Sequence, residues 1–211
     1  MTAGAAGHEQ SVLASDGRTV GRRGAVTRRR LLDATAGLLV TVPVRDLRVV
    51  DIAREVGSSP ATFYQYFRDV EEAVLVLAEK CGAVMAPLAA QLNFSDLDAA
   101  RSFVGAFITY WDDHAAVLRV RNLAAQEGDA RFRELRLIAN RPFLDGLAAH
   151  VVAAQGAGRV DHDLSPITAA AALMSLLERM AAFHTDLEAL GSNRHDVVDT
   201  CARILYRTIE G

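Results

Sequence analysis

Thr62, Tyr64, Gln65 and Tyr66 lie within five residues, interleaved with Phe63 and Phe67, which are spaced four apart. On a helix the two phenylalanines share one face and turn inward, leaving Ala61, Thr62, Tyr64, Gln65 and Tyr66 wholly or partly exposed. Hydroxyl and amide groups so displayed donate to phosphate oxygens and meet base edges, while the Thr62 and tyrosine surfaces suit thymine methyl groups. Two exposed tyrosines on a short helix call for a partner, and the chemistry is recognition of a duplex. The plainer reading is a helical hairpin whose tyrosines pack on neighbours; the turn chemistry ahead of them favours the reader.

That turn is written residue by residue. Val49, Ile52, Ala53 and Val56 recur at helical spacing and make one face apolar, with Asp51, Arg54 and Glu55 on the other. Gly57 tolerates the left-handed conformation at a helix end. Ser58 and Ser59 offer capping hydroxyls, and Pro60 suits the first helical position. Two short helices joined by a tight turn, about Val49 to Val56 and Pro60 to Phe67, form a helix-turn-helix.

With these residues in view, the chain resembles the tetracycline-repressor-like family of one-component transcription regulators. The resemblance covers about residues 27 to 75. It rests on Thr27-Arg28 leading a helix with Leu31, Leu32, Ala34, Ala36, Leu38 and Leu39, on Asp51-Ile52-Ala53, on Gly57-Ser58-Ser59, and on Thr62-Phe63-Tyr64-Gln65-Tyr66-Phe67. It implies a DNA face made of Thr27, Arg28, Arg48, Ser58, Ser59, Ala61, Thr62, Tyr64, Gln65, Tyr66 and Arg68, with Arg22 and Arg23 in the arm. Three departures stand out. Arg48 replaces the usual Thr or Ser, so a cap must come from Asp46 or water; Ser58 replaces an apolar turn residue; Val70 stands where the family carries a phosphate-binding Lys. Arg68 is the nearest substitute, which shifts weight onto the N-terminal arm.

Charge follows the same division. Residues 1 to 68 hold ten arginines or lysines against six acids, a net of +4, whereas the whole chain is −3 and the remainder −7. Arg18 to Arg30 contains six arginines and no acid. Phosphate neutralisation supplies much of the affinity of a DNA reader, so a basic front on an acidic body separates a binding end from a non-binding one. Residues 1–24 are expected to be a flexible basic arm that settles in a minor groove when DNA is present, 25–68 the DNA-binding domain, and 69–211 a helical effector-binding and dimerisation domain.

The elements behind the reader are expected to be helices throughout. The chain has 211 residues, 51% hydrophobic content and five prolines, with Ala/Leu/Val-rich periodic stretches and no convincing alternating strand. A helix from Val70 to Leu92 has Ala73, Leu75, Leu77 and Val84 as its apolar face. Further helices are predicted from Asp96 to Asp113, His114 to Gln126, Ala130 to Gln155, Ile167 to Leu190 and Asn193 to Thr208, with a loop from Gly156 to Pro166. The fold class is all-α, nine helices with a three-helix reader at the front. There is no run of about 18 uncharged apolar residues to span a bilayer and no secretory signal, so a cytoplasmic protein with no membrane association is expected. Cys81 and Cys201, far apart in predicted helices, suit buried thiols in a reducing compartment.

Within the body, Phe103, Phe107 and Trp111 recur every four residues with Tyr110 beside them. Such a stripe suits plain core; Asn122, Phe143, Leu147, Met174, Glu178, Phe183 and His184 on other predicted helices add the few polar groups that orient a ligand in an apolar cavity. Trp111, Asn122 and Glu178-Arg179 make this part similar to the ethionamide-regulator-type branch of the family, which implies an elongated apolar tunnel and a lipid-like, acyl or aromatic effector. Asp112-Asp113-His114 and Asp161-His162-Asp163 are adjacent rather than ligand-spaced, so ordinary helix-end and loop polarity is expected and no metal or other cofactor. No Gly-rich phosphate loop, nucleophile elbow or convergent Cys and His points to an enzyme.

A single short reader covers too few base pairs, so a homodimer on a palindromic operator is expected, paired through Ala169 to Leu177, Val197, Val198, Ile204 and Leu205 of the last two helices. The function this implies is a regulator, in the family's commonest mode a repressor released by a hydrophobic effector. The rival is an all-helical ligand-sequestering or interaction module that has lost DNA binding.

Overall fold

The computed structural model describes residues 21–210. Among these the protein is all helical: α1 (Arg22–Leu38), a 3-10 turn (Val44–Asp46), α2 (Val49–Glu55), α3 (Pro60–Tyr64), α4 (Val70–Ala89), α5 (Leu97–Gln126), α6 (Ala130–Gly156), α7 (Pro166–Glu188) and α8 (Arg194–Glu210). Two compact units divide between Leu77 and Ala78, within α4, rather than at the expected 68/69 boundary. Most of the expected basic arm, residues 1–20, lies outside the described residues. The last part of its 1–24 span is helical, since α1 already begins at Arg22.

In the first unit Leu31 and Leu32 of α1, Ile52 and Ala53 of α2, and Phe63 with Phe67 close a small core from which water is excluded. Full burial of each large apolar side chain contributes about 1.5–3 kcal/mol. The turn between α2 and α3 has the geometry of a Schellman ending: Ser58 N–H donates to Ala53 O at 2.9 Å and Gly57 N–H to Arg54 O at 3.0 Å, with Gly57 at φ +66°. A Cβ at Gly57 would meet no atom within 4 Å, so Gly57→Ala should cost only backbone strain, about 1–2 kcal/mol. Urea unfolding followed by circular dichroism measures it; an unchanged midpoint would show that the turn relaxes.

α3 is shorter than Pro60 to Phe67. Tyr66 N–H and Phe67 N–H still donate to Phe63 O at 2.9 and 3.0 Å, so the helical bonding runs on to Phe67. Asp69 opens α4 by accepting from Glu72 N–H at 2.7 Å. The buried face of α4 is Ala73, Val74, Leu77, Ala78, Cys81, Met85 and Leu88, and Val84, expected on that face, is exposed.

In the second unit, α5 corrects the expectation of two helices meeting at Asp113 and His114. One 30-residue helix runs through, because no glycine or proline interrupts it between Ile108 and Gln126. Asp112 accepts from Arg194 at 2.7 Å and lies 2.7 Å from His184 Nε2, tying α5 to α8 and α7. His114 Nδ1 is 2.9 Å from Tyr110 O. These polar residues therefore decorate a continuous helix instead of ending one. Eight α-helices thus replace nine among the described residues. Arg101 donates to Asp199 at 2.8 Å from Nε and joins α5 to α8. Asp161 accepts the Asp163 N–H at 3.0 Å, and the loop is held by Gln155, which donates to the carbonyls of Asp161 and Leu164 at 2.8 Å.

α7 alone among the described helices is long and apolar enough to cross a membrane by length and composition. Glu178 and Arg179 interrupt its apolar run, and its Ala169, Ala170, Leu173, Met174 and Leu177 are buried in the helical unit.

Candidate functional site

The α3 surface is built by its two ends. Ser59 caps the helix, its Oγ accepting from Thr62 N–H at 3.3 Å and lying 3.2 Å from Thr62 Oγ1, while Pro60 occupies the first turn. The Ser58 hydroxyl instead turns back to donate to Ala53 O at 3.4 Å, so only one of the two serines caps α3. With Phe63 and Phe67 buried and their rings 5.3 Å apart, Ala61, Tyr64 and Gln65 are exposed, and Thr62 and Tyr66 half-buried. Tyr64 is 52% exposed, unusual for a tyrosine whose ring edge still meets Phe63. The row displays hydroxyl, amide and aromatic groups outward from a helix anchored by two buried rings, a surface suited to a groove.

The cationic residues around it divide. Arg22 and Arg23 are exposed in the first turn of α1, and Thr27 in the next turn donates to Arg23 O at 3.2 Å. The Arg28 guanidinium sits 4.9 Å over the Phe67 ring. Arg48 precedes α2 without a side-chain cap from Asp46 or any other residue; it donates to Asp51 Oδ2 at 3.0 Å, and Arg54 pairs with the other oxygen of that carboxylate. The Arg48 hydrogen bond holds the Asp51 carboxyl below the usual carboxylate range. Arg68 is held by Glu72, which accepts from its backbone N–H at 2.6 Å and its Nε at 3.2 Å. Arg30, overlooked in the sequence, donates to Val56 O at 2.9 Å and closes the C-terminus of α2.

The second unit holds a cavity of about 700 Å³ between α5, α6 and α7. Of the eleven residues expected to surround a ligand, Trp111, Asn122, Glu178 and Phe183 line it. The others do not. Phe103, Phe107, Phe143 and Leu147 form closed core, with Phe143 ring centroids 5.4 and 5.7 Å from Phe103 and Phe107, and Met174 is buried with them. Tyr110 is buried and donates to Cys81 O at 3.3 Å; burial pushes its hydroxyl up to about 12. His184 is taken up by Asp112. The stripe on α5 is therefore core up to Tyr110 and cavity wall from Trp111 onward.

Beside the cavity sits a buried ion cluster. Glu178 accepts from Arg136 at 2.7 Å, lies 3.6 Å from Arg121 and takes a long 3.5 Å bond from Asn140. Arg121 is fully buried, donates from Nε to Asn122 Oδ1 at 3.0 Å, and has no hydrogen-bond partner for either terminal nitrogen. Burial pulls its pKa down. Its place was legible in part, since it falls three and four residues after the buried Leu118 and Val117. Burial also pushes the Cys81 and Cys201 thiols up to about 11, making both poor nucleophiles in the folded protein.

The comparisons match this layout. Residues 31–75 fit the profile of bacterial regulatory proteins of the tetR family, and residues 93–211, more than half the chain, fit the tetracyclin repressor-like C-terminal domain. An uncharacterized HTH-type transcriptional regulator of Haemophilus influenzae is 28% identical over 130 residues, 59% of this chain and 63% of that relative's length, so the match spans less than two thirds of it. Similar solved structures include the fatty acid degradation regulator FadR of Bacillus halodurans, at 16% identity and a TM-score of 0.65 over 90% of this chain and 97% of that one. Another is FadR of Bacillus subtilis in complex with stearoyl-CoA, at 15% identity and 0.61 over 87% and 98%. A transcriptional regulator of Saccharomonospora viridis in complex with choline gives 20% and 0.61 over 88% and 96%. At these identities the structural likenesses establish the fold.

Proposed function

The chain belongs to the tetracycline-repressor-like family of bacterial regulatory proteins, and on that footing we propose that it is a one-component, DNA-binding transcriptional regulator released by a small molecule held in its helical body. The observation that carries the reading is the outward row of Thr62, Tyr64, Gln65 and Tyr66 on a helix fixed by the Gly57 turn, the Ser59 cap and two buried phenylalanines. Recognition rests on that row; Ser59, Arg48 and the exposed Arg22 and Arg23 supply phosphate contacts. Arg68 does so only by leaving Glu72. The DNA target makes the working compartment the cytoplasm.

Two copies are required to read successive half-sites. The outward sides of α7 and α8, where Ile167, Ala171, Ala172, Ser175 and Ile204 stay exposed, supply the pairing surface, because Ala169, Leu173, Leu177, Val197 and Leu205 are consumed within the protomer. The cavity between α5, α6 and α7 holds the effector. Neighbours of the same fold are solved with stearoyl-CoA and with choline, so this architecture accommodates both long-chain and compact molecules. A ligand that repacks α4 in the second unit acts along the same helix on Val70 at its start, changing the separation of the two readers. By linkage, DNA then weakens effector binding by the factor with which effector weakens DNA binding.

Fluorescence anisotropy of a labelled duplex across a salt series tests the reading. Log K should fall linearly with log salt concentration, and Arg22→Ala/Arg23→Ala should flatten the slope by about two, since each phosphate contact adds about 0.9. An unchanged slope would remove the two arginines from the interface. No binding even at low salt would favour the ligand-sequestering module instead.

A further inference from the structure

The body outside the reader is acidic, summing to −7 beyond residue 68, yet its cavity is basic. Arg119, Arg133, Arg136 and Arg179 line it, against Glu178 as the one carboxylate. That carboxylate is already shared by Arg136 and the buried Arg121. Among the described residues Arg119, Arg133 and Arg179 have no ion pair; Arg179 lies 4.2 Å over the Phe183 ring. Behind the wall, Arg121 keeps both terminal nitrogens without an acceptor, and so does Arg136 Nε, although all three atoms are out of solvent. A cluster of guanidinium donors with too few acceptors is costly unless an acceptor arrives. The same wall carries Trp111, Leu123, Leu137 and Phe183, an apolar lining of the kind that holds a hydrocarbon chain or ring.

We propose that the cavity binds an anionic amphiphile, its carboxylate or phosphate head group held by Arg133, Arg136 and Arg179 and its apolar part laid against Trp111, Leu123 and Leu137. Guanidinium forks match planar carboxylates and phosphates through paired hydrogen bonds, which a neutral alcohol or a cation does not reproduce. The proposal deepens the reading of the cavity as an effector site and names its charge class. It also assigns Arg121 and Glu178 as positioning residues: their pairing sets the orientation of Arg136 without their meeting the ligand.

Trp111 is the single tryptophan of the chain and lines the cavity, so its fluorescence reports occupancy directly. The full chain is titrated with dodecanoate, dodecyl phosphate, 1-dodecanol, dodecyltrimethylammonium and inorganic phosphate, each amphiphile below its micelle concentration. The two anionic amphiphiles are expected to bind at least tenfold more tightly than the alcohol, with no saturable response to the cation or to inorganic phosphate. Their relative affinities distinguish a carboxylate from a phosphate head group. Arg133→Gln/Arg179→Gln, at exposed positions that leave the buried cluster intact, should abolish the preference for the anion while leaving the alcohol's affinity within about twofold. Equal binding of dodecanol and dodecanoate, a tighter fit for the cation, or inorganic phosphate binding as well as dodecyl phosphate would overturn the proposal, as would no response to any of them. No DNA is present in the titration. Anion-selective binding by a chain that ignores DNA would therefore sink the regulator reading and leave this one standing.

Discussion

Glu178→Ala is expected to lower the unfolding free energy by about 3–5 kcal/mol, because it strands the fully buried Arg121 without its carboxylate. The magnitude belongs to the uncompensated charge rather than to the strength of the ion pair. Arg136 loses its 2.7 Å bond as well, but being half-buried it can turn toward water. Urea unfolding followed through Trp111 reports on the unit that contains the cluster. Replacing both members by apolar residues, Arg121→Met with Glu178→Leu, should recover most of the loss, since a buried pair exchanged for packed hydrophobic groups is often neutral or stabilising. A Glu178→Ala protein as stable as the wild type would mean that water or a relaxed side chain already satisfies Arg121.

Tyr64→Ala should act on the other unit and on the other property. Its side chain is half outside the protein and its main internal contact is the ring edge against Phe63, so the stability cost is about 0.5–1.5 kcal/mol. Operator affinity should fall by about 1–3 kcal/mol, roughly five- to 150-fold, as a group lost from a groove contact. Phe63→Ala provides the contrast. It removes a fully buried ring and is expected to cost about 3–5 kcal/mol of folding, so loss of DNA binding there reports unfolding rather than recognition. Unchanged DNA affinity in Tyr64→Ala, with the protein folded, would remove α3 from its assigned role.

How legible these features were in the sequence depended on the range of the interaction. Gly57, Ser59 and Pro60 act on backbone groups within five residues, so their chemistry fixes the turn locally, and Phe63 with Phe67 fixes which side of α3 faces out. The predicted break at Asp112-Asp113-His114 failed because side-chain polarity does not stop a helix; Asp112 is satisfied by His184 and Arg194, more than 70 positions away. The cavity was read only at one end. Trp111, Asn122, Glu178 and Phe183 line it, but the Phe103, Phe107 and Phe143 rings close on each other, and which end of an apolar stripe stays open depends on how three helices pack. Arginines spread from 119 to 179 read as ordinary surface charges in a chain with 23 basic residues; only the fold gathers four of them on one wall. The family profiles account for the reader and for most of the body, while the charge of the cavity is this chain's own.

Selection of duplexes from a random pool by the purified full-length protein tests the central claim most directly. An enriched inverted repeat, with half-site centres about one helical turn or a whole multiple apart and binding lost in Tyr64→Ala, is the predicted result. Failure to enrich any sequence at low salt, or enrichment that Tyr64→Ala leaves untouched, would contradict it.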